Sequence, residues 1–328
     1  MDPSRRQALL HAKLGALVTA GWGGGARRRE PFPGGAALVD EGAAWLLVED
    51  EPGRSLGKAL LWAQKISAEE LNLLVEERAG MLSRRAQAFA NPPKVWRVDG
   101  TAVVPAGADP VPFEPPLDHR ATAFADLIRA AGADAVAEHG VLRGEVLGLE
   151  VARVAVDAEG AYLEVGVGKH DRHAQRLVHG DIPTAETLAR AVATVRQHRR
   201  AGAPRHPLNQ LAPERWLRSR IVDMPQLVGA AQLAPVPSPV DRDDLRKPAP
   251  APAAGVDTTG RPLLVVCSTG VDVDLVPVAA DAWLADARRP RLVIVVPERD
   301  DHPLLRPLAA SLRQPAEVRT VPDDWRAP

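Results

Sequence analysis

Two glutamates lie inside apolar, β-forming runs of the chain, where a carboxylate needs a partner. Glu150 belongs to the run 144–156 and Glu164 to the run 161–171, and the Asp/Gly-containing turn 157–160 separates the two runs. Two such runs joined by a short turn predict a β-hairpin. A charge inside an apolar strand costs several kcal/mol unless it is paired or binds a cation. We therefore expect both carboxylates to have a chemical or structural role.

The segments around this hairpin extend the pattern. A helix is predicted over residues 118–131 and another over 184–199, one on each side of the hairpin. Helix, hairpin and helix, with acidic strand residues and a lysine just beyond, resemble the core of the PD-(D/E)XK nuclease superfamily. The resemblance implies a divalent metal, Mg²⁺, that activates a water for attack at phosphorus. Applied to the residues of this sequence, the resemblance implies that Glu150, Glu164 and Lys169 are catalytic residues. It also implies that Glu138, Glu150 and Glu164 are metal ligands.

The pairing register of the hairpin decides whether the two carboxylates can share one metal. In simple pairing about the turn, Glu164 faces Arg153, and Glu150 lies on the opposite face of the sheet. A β-bulge or an odd-length turn would bring the two glutamates to one face. Gly166 occupies the place of the family's lysine, so Lys169 departs from the expected spacing. The alternative is that Glu164 and Arg153 form an ordinary cross-strand ion pair and Glu150 pairs with another cation.

An arginine-rich stretch follows the hairpin. Between residues 190 and 220 there are eight arginines and one glutamate, which gives this stretch a formal charge of +7. Such an excess is typical of a surface that binds a polyanion, and a tryptophan among the arginines can stack on a base. The predicted nucleic-acid contacts are Arg196, Arg199, Arg200, Arg215, Trp216 and Arg218. The alternative is that these arginines are solvated or pair with acidic residues of the same chain.

The elements that must position these residues are of the α/β class. Strands and helices alternate in the order βαβαβ in two segments, which indicates Rossmann-like parallel sheets with right-handed crossovers. We predict an N-terminal amphipathic helix with a Gly/Arg-rich linker (1–35), a βαβαβ segment (36–110), a restriction-endonuclease-like core (115–234), a Pro-rich linker (235–261) and a second βαβαβ segment (262–328). The two βαβαβ segments either pair into one sheet or remain separate half-sheets in a homodimer.

A second candidate site lies at the start of the last segment. Ser268, Thr269 and Gly270 come after a predicted strand and before a predicted helix. Ligands of open α/β sheets bind at such turns, and the N–H groups at a helix start accept anions. These three residues are therefore candidate cofactor-binding residues for a small nucleotide. Asp272 disfavours an anion, and the sequence has neither a GxGxxG nor a Walker pattern, so a capping turn without a ligand is the alternative.

Composition limits the functional classes. The 328 residues are 45% apolar and carry a formal net charge of -1, which predicts two or three compact domains without a global attraction to nucleic acid. The single cysteine, Cys267, excludes a disulfide within the chain and is expected to be buried. No run reaches the roughly 20 apolar residues of a membrane span, so we expect a cytoplasmic protein without a membrane partner.

Two functional hypotheses follow from these patterns. The leading one is a metal-dependent nuclease, or a nuclease-derived protein that binds nucleic acid. The alternative is a non-enzymatic Rossmann-like module that binds a small nucleotide or mediates protein assembly.

Overall fold

The computed structural model describes residues 2–168, 185–204, 206–240 and 244–327. The chain forms two compact units, and each is made of more than one stretch of sequence. The first unit comprises Met1–Val111, Val273–Ala285 and His302–Glu317, and the second comprises Pro112–Asp272, Asp286–Asp301 and Val318–Pro328. Helices alternate with the strands of mixed sheets, which confirms the predicted α/β class.

The first unit contains a six-stranded sheet. Its elements in chain order are α1 (Pro3–Trp22), β1 (Arg28–Glu30), β2 (Gly35–Val39), β3 (Ala43–Val48), α2 (Leu56–Lys65), β4 (Glu70–Val75), α3 (Ala79–Ala86), β5 (Lys94–Asp99) and β6 (Ala102–Pro105). The strands lie in the order β1 to β6. Strands β3, β4 and β5 are parallel, and the outer pairs are antiparallel.

The predicted βαβαβ order is present in β3–α2–β4–α3–β5. Strands β3 and β4 are almost continuously buried, as expected when both faces of a parallel sheet are covered. Helix α1 contributes Leu10, Leu14 and Leu17 to the core on one side of this sheet. The segment predicted as a Gly/Arg-rich linker contains the end of α1 and the short strand β1, so the linker is shorter than expected.

The second unit begins with a four-stranded antiparallel sheet. Its elements are α4 (His119–Thr122), α5 (Ala125–Ala130), β7 (Asp134–Glu138), β8 (Val141–Val146), β9 (Leu149–Val156), β10 (Ala161–Val165), α6 (Ala185–His198) and α7 (Pro213–Asp223). The strands form a meander in the order β10-β9-β8-β7. One face packs on the helices through Ile128, Leu142, Val154, Leu188 and Val192. The other face carries charged residues.

A five-stranded sheet completes the second unit. The remaining elements of the chain are β11 (Ala230–Pro235), β12 (Ala251–Asp257), β13 (Pro262–Cys267), α8 (Leu275–Ala285), β14 (Arg291–Pro297), α9 (Leu305–Ala310) and β15 (Glu317–Val321). Of these, the helices α8 and α9 belong to the first unit. The strands lie in sequence order. Strands β13 and β14 are parallel, whereas β12 is antiparallel to both of its neighbours. Helix α7 packs on this sheet through Trp216, Leu217 and Ile221.

The predicted Pro-rich linker is wrong in part, and one of the two alternatives for the βαβαβ segments does not hold. Strand β12 lies inside the stretch predicted as a Pro-rich linker and pairs with both β11 and β13. The described strands of the two βαβαβ segments belong to separate sheets of six and five strands, so the two segments do not join into one sheet. In the described ranges, no helix combines the length and apolar character needed to cross a bilayer.

Candidate functional site

A β-bulge in β9 sets the arrangement of the charged face of the four-stranded sheet. Arg143 of β8 is opposite Arg153 of β9, but two residues later Glu145 is opposite Glu150. Strand β9 therefore contains one extra residue, and Val151 lies within the shifted stretch. An extra residue reverses the alternation of side chains beyond it. Glu150 consequently lies on the same face as Arg143 and Arg153.

The register of the hairpin follows simple pairing about its turn. Glu164 of β10 is opposite Arg153, and the N–H of Asp157 donates to the carbonyl oxygen of Gly160 at 2.9 Å. The expectation that this register places Glu150 on the opposite face is wrong, because it assumed unbroken alternation along β9. The bulge, and not the turn, brings Glu150 and Glu164 to one face.

Both carboxylate oxygens of Glu150 are engaged by guanidinium groups. Arg143 Nη1 donates to Oε2, and Arg153 Nε donates to Oε1 at 3.1 Å. The side chain is only 5% exposed, so these two arginines supply the compensation that a buried charge requires. Glu150 therefore forms ion pairs with arginines of the protein, as the alternative to a metal site predicted. One of its partners is Arg153, which that alternative had paired with Glu164.

Two arginines of α7 engage the other buried glutamates of this face. Arg215 Nη1 and Arg218 Nη2 donate to the two oxygens of Glu145 at 2.9 and 2.7 Å, and Arg215 Nη2 donates to Glu138 Oε2. Residues three apart share a face of a helix, so Arg215 and Arg218 reach the charged sheet face together. Glu138 is the last residue of β7.

We call these seven residues the Glu–Arg network: Glu138, Arg143, Glu145, Glu150, Arg153, Arg215 and Arg218. Burial acts to raise the pKa of Glu138, but Arg215 and Arg143 outweigh it, and the pKa lies below its ordinary value. Burial acts to lower the pKa of Arg215, but the nearby carboxylates of Glu145 and Glu138 have the larger effect. The pKa of Arg215 is therefore raised above its ordinary value. Both groups are therefore charged at neutral pH.

The Glu–Arg network does not fit a divalent cation. Mg²⁺ requires several oxygen ligands around it, whereas the oxygens of Glu145 and Glu150 already accept hydrogen bonds from arginines. Four guanidinium groups would also repel a dication. Across the described part of the chain, no group of three or more His, Cys, Asp or Glu side chains is arranged to hold a metal. Lys169 lies outside the described residues.

Four of the six predicted nucleic-acid contacts are buried. The exposed fractions of Arg199, Arg215, Trp216 and Arg218 are 0, 8, 1 and 1%. Three arginines of this stretch are therefore inside the protein, and they do not present a basic surface. The sequence shows how many arginines this stretch contains but does not show which of them are exposed to solvent.

Arg199 binds backbone carbonyl groups. It donates to the carbonyl oxygens of Leu147, Leu208, Leu211 and Ala212 at 2.6–3.0 Å, and its guanidinium lies 4.6 Å from the centre of the Trp216 ring. It thereby connects the end of α6 to the β8–β9 turn and to the start of α7. Two exposed candidates also bind carbonyl oxygens, since Arg196 donates to Gly132 and Arg200 to Gln197.

The turn after β13 does not favour an anion. Ser268 is fully buried, and its N–H donates to the carbonyl oxygen of Val295. The N–H of Gly270 donates to Asp300 Oδ2 at 2.7 Å. A carboxylate of the protein therefore takes one of the backbone donors that a phosphate would need. Cys267, the residue before this turn, is buried as expected, and burial raises the pKa of its thiol to about 12.

The first unit has a buried ion cluster that the sequence analysis missed. Arg84 and Arg85 of α3 contact Asp281 of α8 at 2.7 and 3.0 Å. Arg85 also lies 3.5 Å from Asp274, whose Oδ1 accepts a hydrogen bond from the N–H of Gly57 at 2.9 Å. The partners are almost 200 residues apart in sequence, so no local spacing could have identified the cluster.

A small cleft of the first unit lies at the amino ends of β4 and β5. Its volume is about 290 Å³, and Phe89 and Leu71 are among its apolar lining residues. Glu70 and Lys94 also line it and form an ion pair at 2.6 Å. Ligands of open α/β sheets bind at the opposite, carboxyl ends of the strands, so this location does not favour a nucleotide.

Comparison with protein families, with characterised proteins and with solved structures finds no match for this chain.

Proposed function

We propose that this protein is a non-enzymatic binding module that mediates assembly with another protein chain. The observation that supports this proposal is the engagement of Glu138, Glu145 and Glu150 by arginines. General acid–base groups and metal ligands must remain available to the substrate or the metal. Glu138, Glu145 and Glu150 instead hold β7, β8, β9 and α7 together.

A protein partner is favoured over a nucleotide or a nucleic acid. The N–H of Gly270 is bonded to Asp300, which opposes a phosphate, and most of the candidate arginines are buried. Exposed apolar side chains, in contrast, follow one another from β6 into the next segment. Val104, Val111 and Phe113 are 37, 39 and 82% exposed. Exposed aromatic side chains such as that of Phe113 are typical of the cores of protein–protein interfaces.

The test is purification of the tagged full-length chain from its native host cell, with and without nuclease treatment. We expect a second protein to co-purify in stoichiometric amount, to resist nuclease treatment and to elute with the chain in size-exclusion chromatography. Recovery of the chain alone, or of a complex that nuclease dissolves, would contradict the proposal.

A parallel assay tests the rival nuclease hypothesis. The purified chain is incubated with single- and double-stranded DNA and RNA in Mg²⁺ or Mn²⁺, beside the variants Glu150→Gln and Glu164→Gln. We expect no cleavage above that of the variants. If the native chain cleaves nucleic acid in a metal-dependent way and both folded variants do not, the protein is a nuclease and the proposed function is wrong.

A further inference from the structure

Ten consecutive exposed residues connect β6 to α4 in the chain. Residues 107–116 are all exposed and belong to neither a helix nor a strand. The part from 109 to 116 reads Asp-Pro-Val-Pro-Phe-Glu-Pro-Pro, and we call it the proline segment. Phe113 in its centre is 82% exposed. Burying such a ring on binding a partner would be favourable, because its apolar surface would leave water.

The composition of the proline segment restricts its backbone. Pro110, Pro112, Pro115 and Pro116 have φ fixed near -65°, and each residue that precedes a proline is driven towards the extended or polyproline II region. Phe113 alone among the eight residues is subject to neither restriction. The described peptide bonds are all trans. These restrictions favour a polyproline II conformation, which needs no hydrogen bonds between its own residues.

A polyproline II helix has three residues per turn, so its side chains fall on three edges. The first edge carries Pro110, Phe113 and Pro116, and the second carries Asp109, Pro112 and Pro115. The third carries Val111 and Glu114. Two of the three edges are therefore rich in proline or aromatic surface, and Pro112 and Pro115 have the PxxP spacing of proline-recognition ligands.

Contacts of the segment indicate which edge faces the protein. The carboxylate of Glu114 lies 3.2 Å from His139 Nδ1, so the third edge contacts the protein. Val111 on the same edge is less exposed than Phe113, at 39% against 82%. Arg84 Nη1 donates to the carbonyl oxygen of Pro110 at 2.8 Å and fixes the beginning of the segment. On the second edge the N–H of Asp109 donates to the carbonyl oxygen of Gly80 at 3.0 Å, and Pro115 lies against Gly140. The edge of Pro110, Phe113 and Pro116 is left towards solvent.

We propose that the proline segment is a docking motif for a partner protein with an aromatic-lined groove that accepts a polyproline II ligand. This inference rests on the proposed function and names the class of partner. Between residues 106 and 118 the chain carries three carboxylates and neither lysine nor arginine, so the rim of the groove is basic. A ligand already held in its bound conformation loses little entropy on binding.

The experiment is photo-crosslinking in the native host cell. Phe113 is replaced by the photoreactive residue p-benzoyl-phenylalanine in the full-length chain, and Leu227, an apolar residue that is 45% exposed, is replaced in the same way as a control. We expect an adduct from position 113 that position 227 does not give. Mass spectrometry should place the crosslink in an aromatic-lined groove, and a synthetic peptide of residues 108–117 should suppress it.

The variant Pro112→Ala/Pro115→Ala, made on the crosslinking chain, is expected to reduce the adduct more than about tenfold with an unchanged melting temperature, because both prolines are exposed. The inference is overturned if position 113 gives no specific adduct, or if the adduct joins two copies of this chain or lies outside an aromatic groove. If the stoichiometric partner still co-purifies with Phe113→Ala at unchanged yield, the inference fails and the proposed function stands. If no partner is recovered, both fail.

Discussion

Glu145 and Glu150 lie directly opposite each other on β8 and β9, at the β-bulge. Like charges at such cross-strand positions repel each other, and both side chains are almost completely buried. The arrangement persists because Arg215 and Arg218 bind Glu145 while Arg143 and Arg153 bind Glu150. The fold of the second unit therefore depends on arginines from two strands and one helix.

The first prediction concerns the helix side of the Glu–Arg network. Arg215→Met removes the partner that Glu138 and Glu145 share, and leaves buried carboxylates undercompensated. We expect the free energy of unfolding to fall by about 3–5 kcal/mol. Urea unfolding followed by tryptophan fluorescence measures it. Arg129→Met, which changes an arginine that is 60% exposed, is the control and should change stability by no more than about 0.5 kcal/mol. Equal effects of the two substitutions would contradict the role of the network.

The second prediction is a loss of stability in acid. The pKa of Glu138 in the folded protein is lowered from 4.5, because Arg215 and Arg143 outweigh the effect of burial. A lowered carboxyl pKa contributes stability that is present above the unfolded-state value and is lost as the pH falls through the folded-state value. We therefore expect the free energy of unfolding to decline as the pH drops below 4.5. Urea unfolding between pH 6 and pH 3 measures this slope, which should be shallower in Glu138→Gln. An identical slope in that variant would show that another group titrates.

Long hydrophobic runs and turn residues made much of the fold predictable. The alternation of apolar strands with helices predicted β3–α2–β4–α3–β5, and the turn 157–160 predicted the β9–β10 register. Strand β12 was missed because Ala253 and Gly255 have low β-propensity. A small residue is required there, since a Cβ on Gly255 would lie 1.9 Å from the carbonyl oxygen of Gln232.

The candidate site was less predictable than the fold. The bulge at Val151 has no mark in the sequence, because an ordinary valine occupies it, and a one-residue slip moves Glu150 to the other face. Charge counting found the arginines after the hairpin but could not tell a solvated arginine from a buried one. The spacing of Arg215 and Arg218 beside Trp216 and Leu217 was the available signal. This spacing indicates a helix with a charged face and an apolar face. The charged face needs oppositely charged side chains, and the apolar face needs a hydrophobic core to pack against.

The third prediction separates geometry from charge at Arg199. Its planar guanidinium donates to four backbone carbonyl oxygens, which the ammonium of lysine cannot reach in the same fork. Arg199→Lys should therefore lower the free energy of unfolding by about 1–3 kcal/mol although the charge is kept. The neighbouring exposed residue supplies the matched control, and Arg200→Lys should leave stability unchanged in the same urea titration. If Arg199→Lys is as stable as the control, the carbonyl contacts are not important for the fold.

The last prediction concerns the β8–β9 turn, where Leu147 and Gly148 both have positive φ, at 48° and 73°. A two-residue hairpin turn of this type requires that conformation. A Cβ on Gly148 would lie 2.2 Å from the carbonyl oxygen of Arg215, so alanine there collides with the backbone of α7. Gly202 has a closely similar φ of 68° and open space around its Cβ position.

Gly148→Ala and Gly202→Ala therefore carry the same backbone penalty, about 1–2 kcal/mol. Only the alanine at position 148 also collides with the backbone of α7. We expect Gly148→Ala to be the less stable by at least about 2 kcal/mol in urea unfolding, because the turn and α7 must separate before the methyl group fits. The displacement would also pull Arg215 away from Glu145. The acid-dependent loss of stability should accordingly become shallower in Gly148→Ala but not in Gly202→Ala. Equal stabilities would mean that the turn and α7 do not pack as closely as the Glu–Arg network requires.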